Sequence, residues 1–265
     1  MKMTRLWTLL LFTLAVPAAV GNTGAVTEFQ PAGMELNQSA LEADVPPPDF
    51  KAIKNPEARK QAFVEYLRPS YDAVAANILG QRARLEQLDK QLQKGIALSD
   101  AQQDWLLGVG QQYRLSDMTA DHEGISRLLV RVDILPPELV LSQAATESGW
   151  GTSRMARKYN NFFGHYCFEQ GCGVTPYRRS TGAQAKSFDT PEEAIQAYLR
   201  NINTHPAYNQ VRTMRANMRA EVKPLDAVAL AGGFHRYSSL GNGYVRKIQG
   251  MIRTNQRYWV AARGN

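Results

Sequence analysis

The residue best placed to do chemistry is Glu147. It closes the run Leu139-Val140-Leu141-Ser142-Gln143-Ala144-Ala145-Thr146-Glu147-Ser148, where most side chains before it are apolar or small. That run predicts a central helix with a carboxylate in its last turn. Burial penalises the charged form of such a group, and so does the negative end of the helix dipole. A carboxylic acid that keeps its proton near neutral pH is what general acid catalysis requires. The competing reading is a surface glutamate, or a structural carboxylate paired with Arg154 or Arg157. Position alone leaves these open. His165 and His235 offer no spacing that makes either a base. Four scattered histidines and two cysteines supply neither a local zinc motif nor a four-thiolate site. No metal or cofactor is expected.

Several elements must position Glu147. Pro136 and Pro137 open its helix, since proline in the first turn forfeits no intrahelical bond. Gly149 and Gly151 end it. Residues 165–188 lose the helical period and carry Tyr, Phe and Gly at short spacing, which predicts a β-hairpin. Helices resume at Thr190-Pro191-Glu192-Glu193, a cap followed by first-turn proline and glutamates. Later helices are expected near Leu225 to Ala231 and around Val245, Ile248 and Ile252. Upstream, Ala58, Ala62, Phe63 and Leu67, then Val74 and Ile78, recur at helical spacing, with Pro69 expected to interrupt them. Ser99 and Gln102 form a capping-box pair. Trp150 has two readings: a platform for a sugar face, or a core plug beside Gly149 and Gly151.

The first residues read as an export signal. Lys2 and Arg5 precede the apolar stretch Leu6 to Val16, followed by Ala18, Ala19 and Gly21. Eleven residues, almost wholly apolar, fall short of the roughly 20 that a membrane span needs. The expected organisation is a signal at 1–21, a proline-containing tether at 22–50, a helical extension at 51–120 and the principal domain at 121–265. A periplasmic or secreted location follows, with membrane contact only through an uncleaved signal. In that compartment Cys167 and Cys172 are expected to form a disulfide. The formal charge of +7 divides unevenly. Residues 22–120 hold ten basic and thirteen acidic groups, and residues 121–265 hold nineteen and eleven. The basic half can attract an anionic polymer. Export favours a glycan over nucleic acid, for which no motif is present.

The stretch QAATESGWGTSRMARKYNNFFG, residues 143–164, resembles the glucosaminidase domain of glycoside hydrolase family 73. SFDTPEEAIQAYLRNINTHPAYNQVR is similar to that family's second helical block, and HRYSSLGNGYVRKI to its closing tyrosine motif. The three blocks occur in the expected order over roughly 125–258, and the whole chain resembles bacterial Bax-like proteins that carry this domain. The resemblance implies a lysozyme-like α+β fold, mainly helical, with a small β-hairpin region and an N-terminal helical extension. It implies cleavage of the β-1,4 bond after N-acetylglucosamine in peptidoglycan, by a monomer acting on glycan strands. It further implies Glu147 as general acid, Tyr237 in the active site, and Asn161, Phe163 and Gly164 shaping the groove. Family members commonly carry a second carboxylate in the β-region. Here the acidic residue between Tyr166 and Phe188 is Glu169, inside the loop between the cysteines. Substrate-assisted attack by the 2-acetamido group is the other route. Arg178, beside Tyr177 and Arg179, is a candidate for peptide or lactyl carboxylates, or else a solvated side chain. Two further readings stay open: a lytic transglycosylase, which uses one principal acid on the same polymer, and an inactive glycan-binding scaffold.

Overall fold

The computed structural model describes residues 47–167, 171–174 and 184–261. The expected signal, most of the tether, Glu169 and Arg178 lie outside these residues. Among the described residues, ten α-helices and three short strands follow in chain order: α1 Pro56–Gln93, α2 Asp100–Gln112, α3 His122–Arg131, α4 Pro137–Ser148, α5 Arg154–Tyr159, β1 Tyr166–Cys167, β2 Gly173–Val174, β3 Gln184–Lys186, α6 Pro191–Thr204, α7 Asn209–Ala220, α8 Ala227–Ala231, α9 Asn242–Thr254 and α10 Gln256–Ala261. Single 3-10 turns at Pro206–Tyr208 and Gly232–Phe234 join the later helices. The architecture is the mainly helical, lysozyme-like α+β class with a small open sheet.

α4 lies at the centre. Leu139, Val140, Leu141, Ala144 and Ala145 are all fully or almost fully buried. Pro136 and Pro137 start the helix, and Gly149 ends it in the left-handed conformation at φ 60°. α1 packs against α3, α4 and α6, α8 and α9 close over α4, and one core runs through Phe63, Leu67, Leu139, Tyr198, Phe234 and Ile248. Residues 44–265 form one compact unit.

Pro69 does not interrupt α1, contrary to the expected break; the helix is continuous for 38 residues. Pro69 is exposed, while Leu67 and Tyr71 on either side are buried. The ladder bond that proline removes therefore lies on the solvent side, and core packing holds both halves of the helix in line. The Ser99–Gln102 capping box forms as read. Thr190 caps α6 by accepting from the Glu193 backbone.

The three strands form an antiparallel sheet in the order β1-β3-β2, pairing Tyr166 with Ala185 and Gly173 with Lys186. The expected hairpin region is thus a sheet in which β3 is central. Cys167 and Cys172 are disulfide-bonded with Cα atoms 6.1 Å apart, linking β1 to the residue before β2. Gly173 is needed there: a Cβ would stand 2.2 Å from the Ala185 carbonyl oxygen.

A charged cluster fastens α1 and α7 to the link between α3 and α4. Asp133, on the link between α3 and α4, is 1% exposed. Arg219 of α7 grips both of its carboxylate oxygens at 2.8 and 2.9 Å, with Arg82 of α1 at 3.4 Å and Arg215 of α7 at 3.9 Å. Arg215 also donates to the backbone carbonyls of Val130, Arg131, Asp133 and Ile134. These guanidinium groups hold the Asp133 carboxyl below the usual range, against the opposing effect of burial.

Candidate active site

Glu147 occupies the last turn of α4, and its side chain is accessible from a cavity of about 1400 Å³. The neighbouring Ser148 is buried and ties down the helix end: its hydroxyl donates to the Ala144 carbonyl at 2.6 Å and accepts from the Gly151 backbone at 2.9 Å. The helix is therefore core, while its penultimate residue opens to the cavity. Arg154 and Arg157 do not pair with Glu147. Arg157 lies 3.9 Å from Asp49, and Arg154 sits over the Tyr159 ring.

The surrounding protein desolvates Glu147 and raises its pKa. Two neighbours oppose this. The Tyr244 hydroxyl is within hydrogen-bonding reach of the carboxylate, and the Lys247 ammonium stabilises its charge. Desolvation prevails, so the acid is favoured over a wider pH range than in an exposed glutamate. Tyr244 is itself held in place. Gln143 Nε2 donates to its oxygen at 3.1 Å, and the Tyr198 hydroxyl donates to Gln143 Oε1. A buried chain of Tyr198, Gln143 and Tyr244 thus ends at the Glu147 carboxylate. Gln143 is one turn above Glu147 on the same helix, so the chain fixes both from α6 and α9.

The opposite wall comes from the segment after α5. Asn160 is in the left-handed region at φ 47° and donates to the carbonyls of Phe188 and Asp189. Asn161 is buried, donates to the carbonyls of His165 and Lys186, and accepts from the His165 backbone. These two amides clamp the sheet to the end of α5 and set its distance from Glu147. Gly164, at φ +69°, passes beside the carboxylate; a Cβ there would lie 4.0 Å from Oε2. Tyr237 donates from its hydroxyl to the Phe163 carbonyl at 3.1 Å, and its ring stacks on Tyr244 at 5.2 Å. Burial and the Glu147 charge push the Tyr237 phenol well above its ordinary pKa, so it stays a neutral donor.

The structure therefore brings Glu147, Tyr237, Asn161, Phe163 and Gly164 to one cavity. Some roles differ in kind from a direct sugar contact. The Phe163 ring is 3% exposed and stacks on Tyr198 at 4.3 Å, so it serves the groove mainly through its backbone. Asn161 spends its amide on three backbone bonds. Trp150 does not line the cavity. It stacks flat on Trp259 at 5.9 Å, meets Phe63 edge-on at 5.5 Å and carries Lys60 over its ring, so the geometry is that of the core plug. His165 lines the cavity between the edges of Phe163 and Phe188, and burial together with Lys186 lowers its pKa to about 4. It is neutral at physiological pH.

Two groups escaped the sequence reading. Tyr244 reads as part of the apolar face of α9, spaced four residues from Ile248. Glu192 reads as a first-turn carboxylate of α6, yet it also lines the cavity, with its pKa raised by desolvation and by Glu193. Among the described residues, no group of three or more His, Cys, Asp or Glu side chains is arranged to hold a metal ion.

An accessible, desolvated carboxyl group at the end of a central helix, facing a small sheet across one cavity, suits a glycoside hydrolase. The glucosaminidase family model, described as mannosyl-glycoprotein endo-beta-N-acetylglucosaminidase, matches residues 124–257, and the chain belongs to that family. Among its curated relatives is Protein bax of Escherichia coli (strain K12), 34% identical over 216 residues that cover 81% of this chain and 76% of that protein. No solved structure matches the chain.

Proposed function

We propose that the protein is exported to the periplasm or beyond and hydrolyses the β-1,4 bond following N-acetylglucosamine in peptidoglycan, with Glu147 as general acid. The observation that carries this reading is the state of Glu147: desolvated and accessible, with no ion pair among the described residues. In the proposed step Glu147 gives its proton to the glycosidic oxygen as the C1–O bond breaks. The leaving sugar departs as the alcohol, and positive charge develops at C1. Water then adds at C1, and the proton it releases restores the acid. The net change is addition of one water across the bond. Tyr244 and Lys247 stabilise the carboxylate left after proton transfer. Tyr237 holds the Phe163–Gly164 backbone open for the sugar. Attack on C1 is assigned either to the substrate's 2-acetamido oxygen or to water activated by Glu169, whose loop is closed by the Cys167–Cys172 bond.

The test is digestion of purified peptidoglycan followed by mass analysis of the fragments. Reducing N-acetylglucosamine ends are expected from the parent chain. Glu147→Gln is expected to lower the rate by roughly 10²–10⁴-fold, the usual contribution of a positioned acid, without loss of fold. Anhydromuramic ends would instead identify a lytic transglycosylase. Binding without turnover by either form would identify a glycan-binding protein.

A further inference from the structure

The family match begins at residue 124, so α1 and α2 lie outside it. Even so, Asn77 and Gln81 of α1, with Gln112 and Arg114 at the end of α2, line the same cavity as Glu147, together with Gln196 and Arg200 of α6. This end of the cavity is rich in amides and positively charged, and it is organised. The Tyr113 hydroxyl donates to Gln81 Oε1 at 3.0 Å, and Gln81 Nε2 donates to Gln112 Oε1 at 3.4 Å. Arg131 donates to the carbonyls of Tyr113 and Arg114 at 2.7 and 3.2 Å, fixing the turn that carries Arg114. Arg114 is in the left-handed region at φ 57°, which a non-glycine residue occupies when its surroundings hold it there. Arg200 is close enough to Tyr113 for its charge to act on that phenol, which places it near the same turn.

Both arginines are exposed. Neither forms an ion pair among the described residues. The groove carboxylates of α6, Glu192 and Glu193, are seven or eight residues from Arg200, about 10–12 Å along the helix at 1.5 Å per residue. Two unpaired guanidinium groups beside a row of amides suit a ligand carrying carboxylates and peptide bonds. Guanidinium pairs with carboxylate through two parallel bonds, and a side-chain amide offers a peptide bond both a donor and an acceptor. A chain of N-acetylglucosamine has no charge to place there, and a muramic residue freed of its stem offers only a lactyl carboxylate close to the sugar ring.

We propose that this end of the groove binds the peptide stem of a peptidoglycan strand whose glycosidic bond lies at Glu147. The N-terminal helices are then part of the substrate site. The proposal rests on the reading of the groove as a peptidoglycan site, and binding separates it from turnover. The experiment measures affinity of the Glu147→Gln chain for glycan strands bearing tetrapeptide stems, and for the same strands stripped of peptide by an amidase. It is repeated after adding Arg114→Gln and Arg200→Gln. Stem-bearing strands are expected to bind roughly three- to tenfold more weakly to the triple variant, the scale of two partly exposed ion pairs. Affinity for stripped strands is expected to be unchanged, which also shows that the fold is intact. An equal loss on both ligands, no loss on either, or no binding of stem-bearing strands would overturn the proposal. Turnover by the parent chain reports separately: arginine-dependent binding without cleavage would overturn the glycosidase reading and leave the stem site standing.

Discussion

With Glu147 as the proposed general acid, catalysis and stability place opposing demands on one carboxyl group. Its folded pKa lies above its unfolded value because the groove desolvates it. Ionisation therefore costs stability: the penalty is absent below the unfolded pKa and complete above the folded one. Glu147→Gln is expected to raise the melting temperature by about 1–3 °C at pH 7 and to give no gain at pH 3, while turnover is lost. Thermal unfolding at the two pH values checks this; an equal shift at both would sink the electrostatic account. In the proposed role of Glu147, the same balance is expected to set the alkaline limb of the pH–rate profile, where the acid loses its proton. Tyr244→Phe and Lys247→Met each remove a group that favours the carboxylate, so each is expected to move that limb to higher pH. A limb moving to lower pH would show that Tyr244 does not act on Glu147. The position of Glu147 was legible in the sequence because a carboxylate follows an apolar run at the end of its helix. Tyr244 was not, because a tyrosine spaced four residues from isoleucine looks like core until the partner of its hydroxyl is known.

The ends of the elements were largely readable, since caps are local chemistry. Pro137, Gly149, Ser99 and Thr190 each stand where a backbone donor or a left-handed turn requires that residue type. Two features depended on distant contacts instead. Pro69 lies within α1 because its missing bond is solvent-facing and its neighbours are anchored. Trp150 turns away from the groove because Trp259, 109 residues later, supplies a flat surface for its ring. No local pattern announces that pairing. Trp150→Ala is accordingly expected to cost about 3 kcal/mol in urea unfolding, in the range for large aromatic truncations, with kcat/KM per folded molecule nearly unchanged. Loss of activity at unchanged stability would restore the sugar-platform role. The small sheet was anticipated as a hairpin, but its central β3 was not, because pairing order depends on the path between strands and not on their composition.

At the scale of the whole molecule, the division into an acidic N-terminal and a basic C-terminal segment was visible in the sequence, but the way they share a core was not. α1 lies against α3, α4 and α6, and Asp133 with its arginines ties α1 to α7 across the α3–α4 link. A buried ion cluster need not exceed apolar packing in stability, but removing one sign from it leaves the other uncompensated. Asp133→Asn leaves Arg82, Arg215 and Arg219 together with only the exposed Glu86, 3.0 Å from Arg82, as a nearby anion, and is expected to cost about 3–5 kcal/mol at neutral pH. The Asp133 folded pKa is depressed, so its contribution is present above the unfolded pKa and is lost as pH falls through the folded one. The gap between parent and variant in urea midpoint is therefore expected to narrow on acidification. Because the cluster joins the N-terminal helix to the family domain, the variant is also expected to weaken α1 and the domain in one transition. Two separate transitions would show that α1 is stabilised independently of Asp133, and that the groove wall it supplies can loosen while the Glu147 site stays folded.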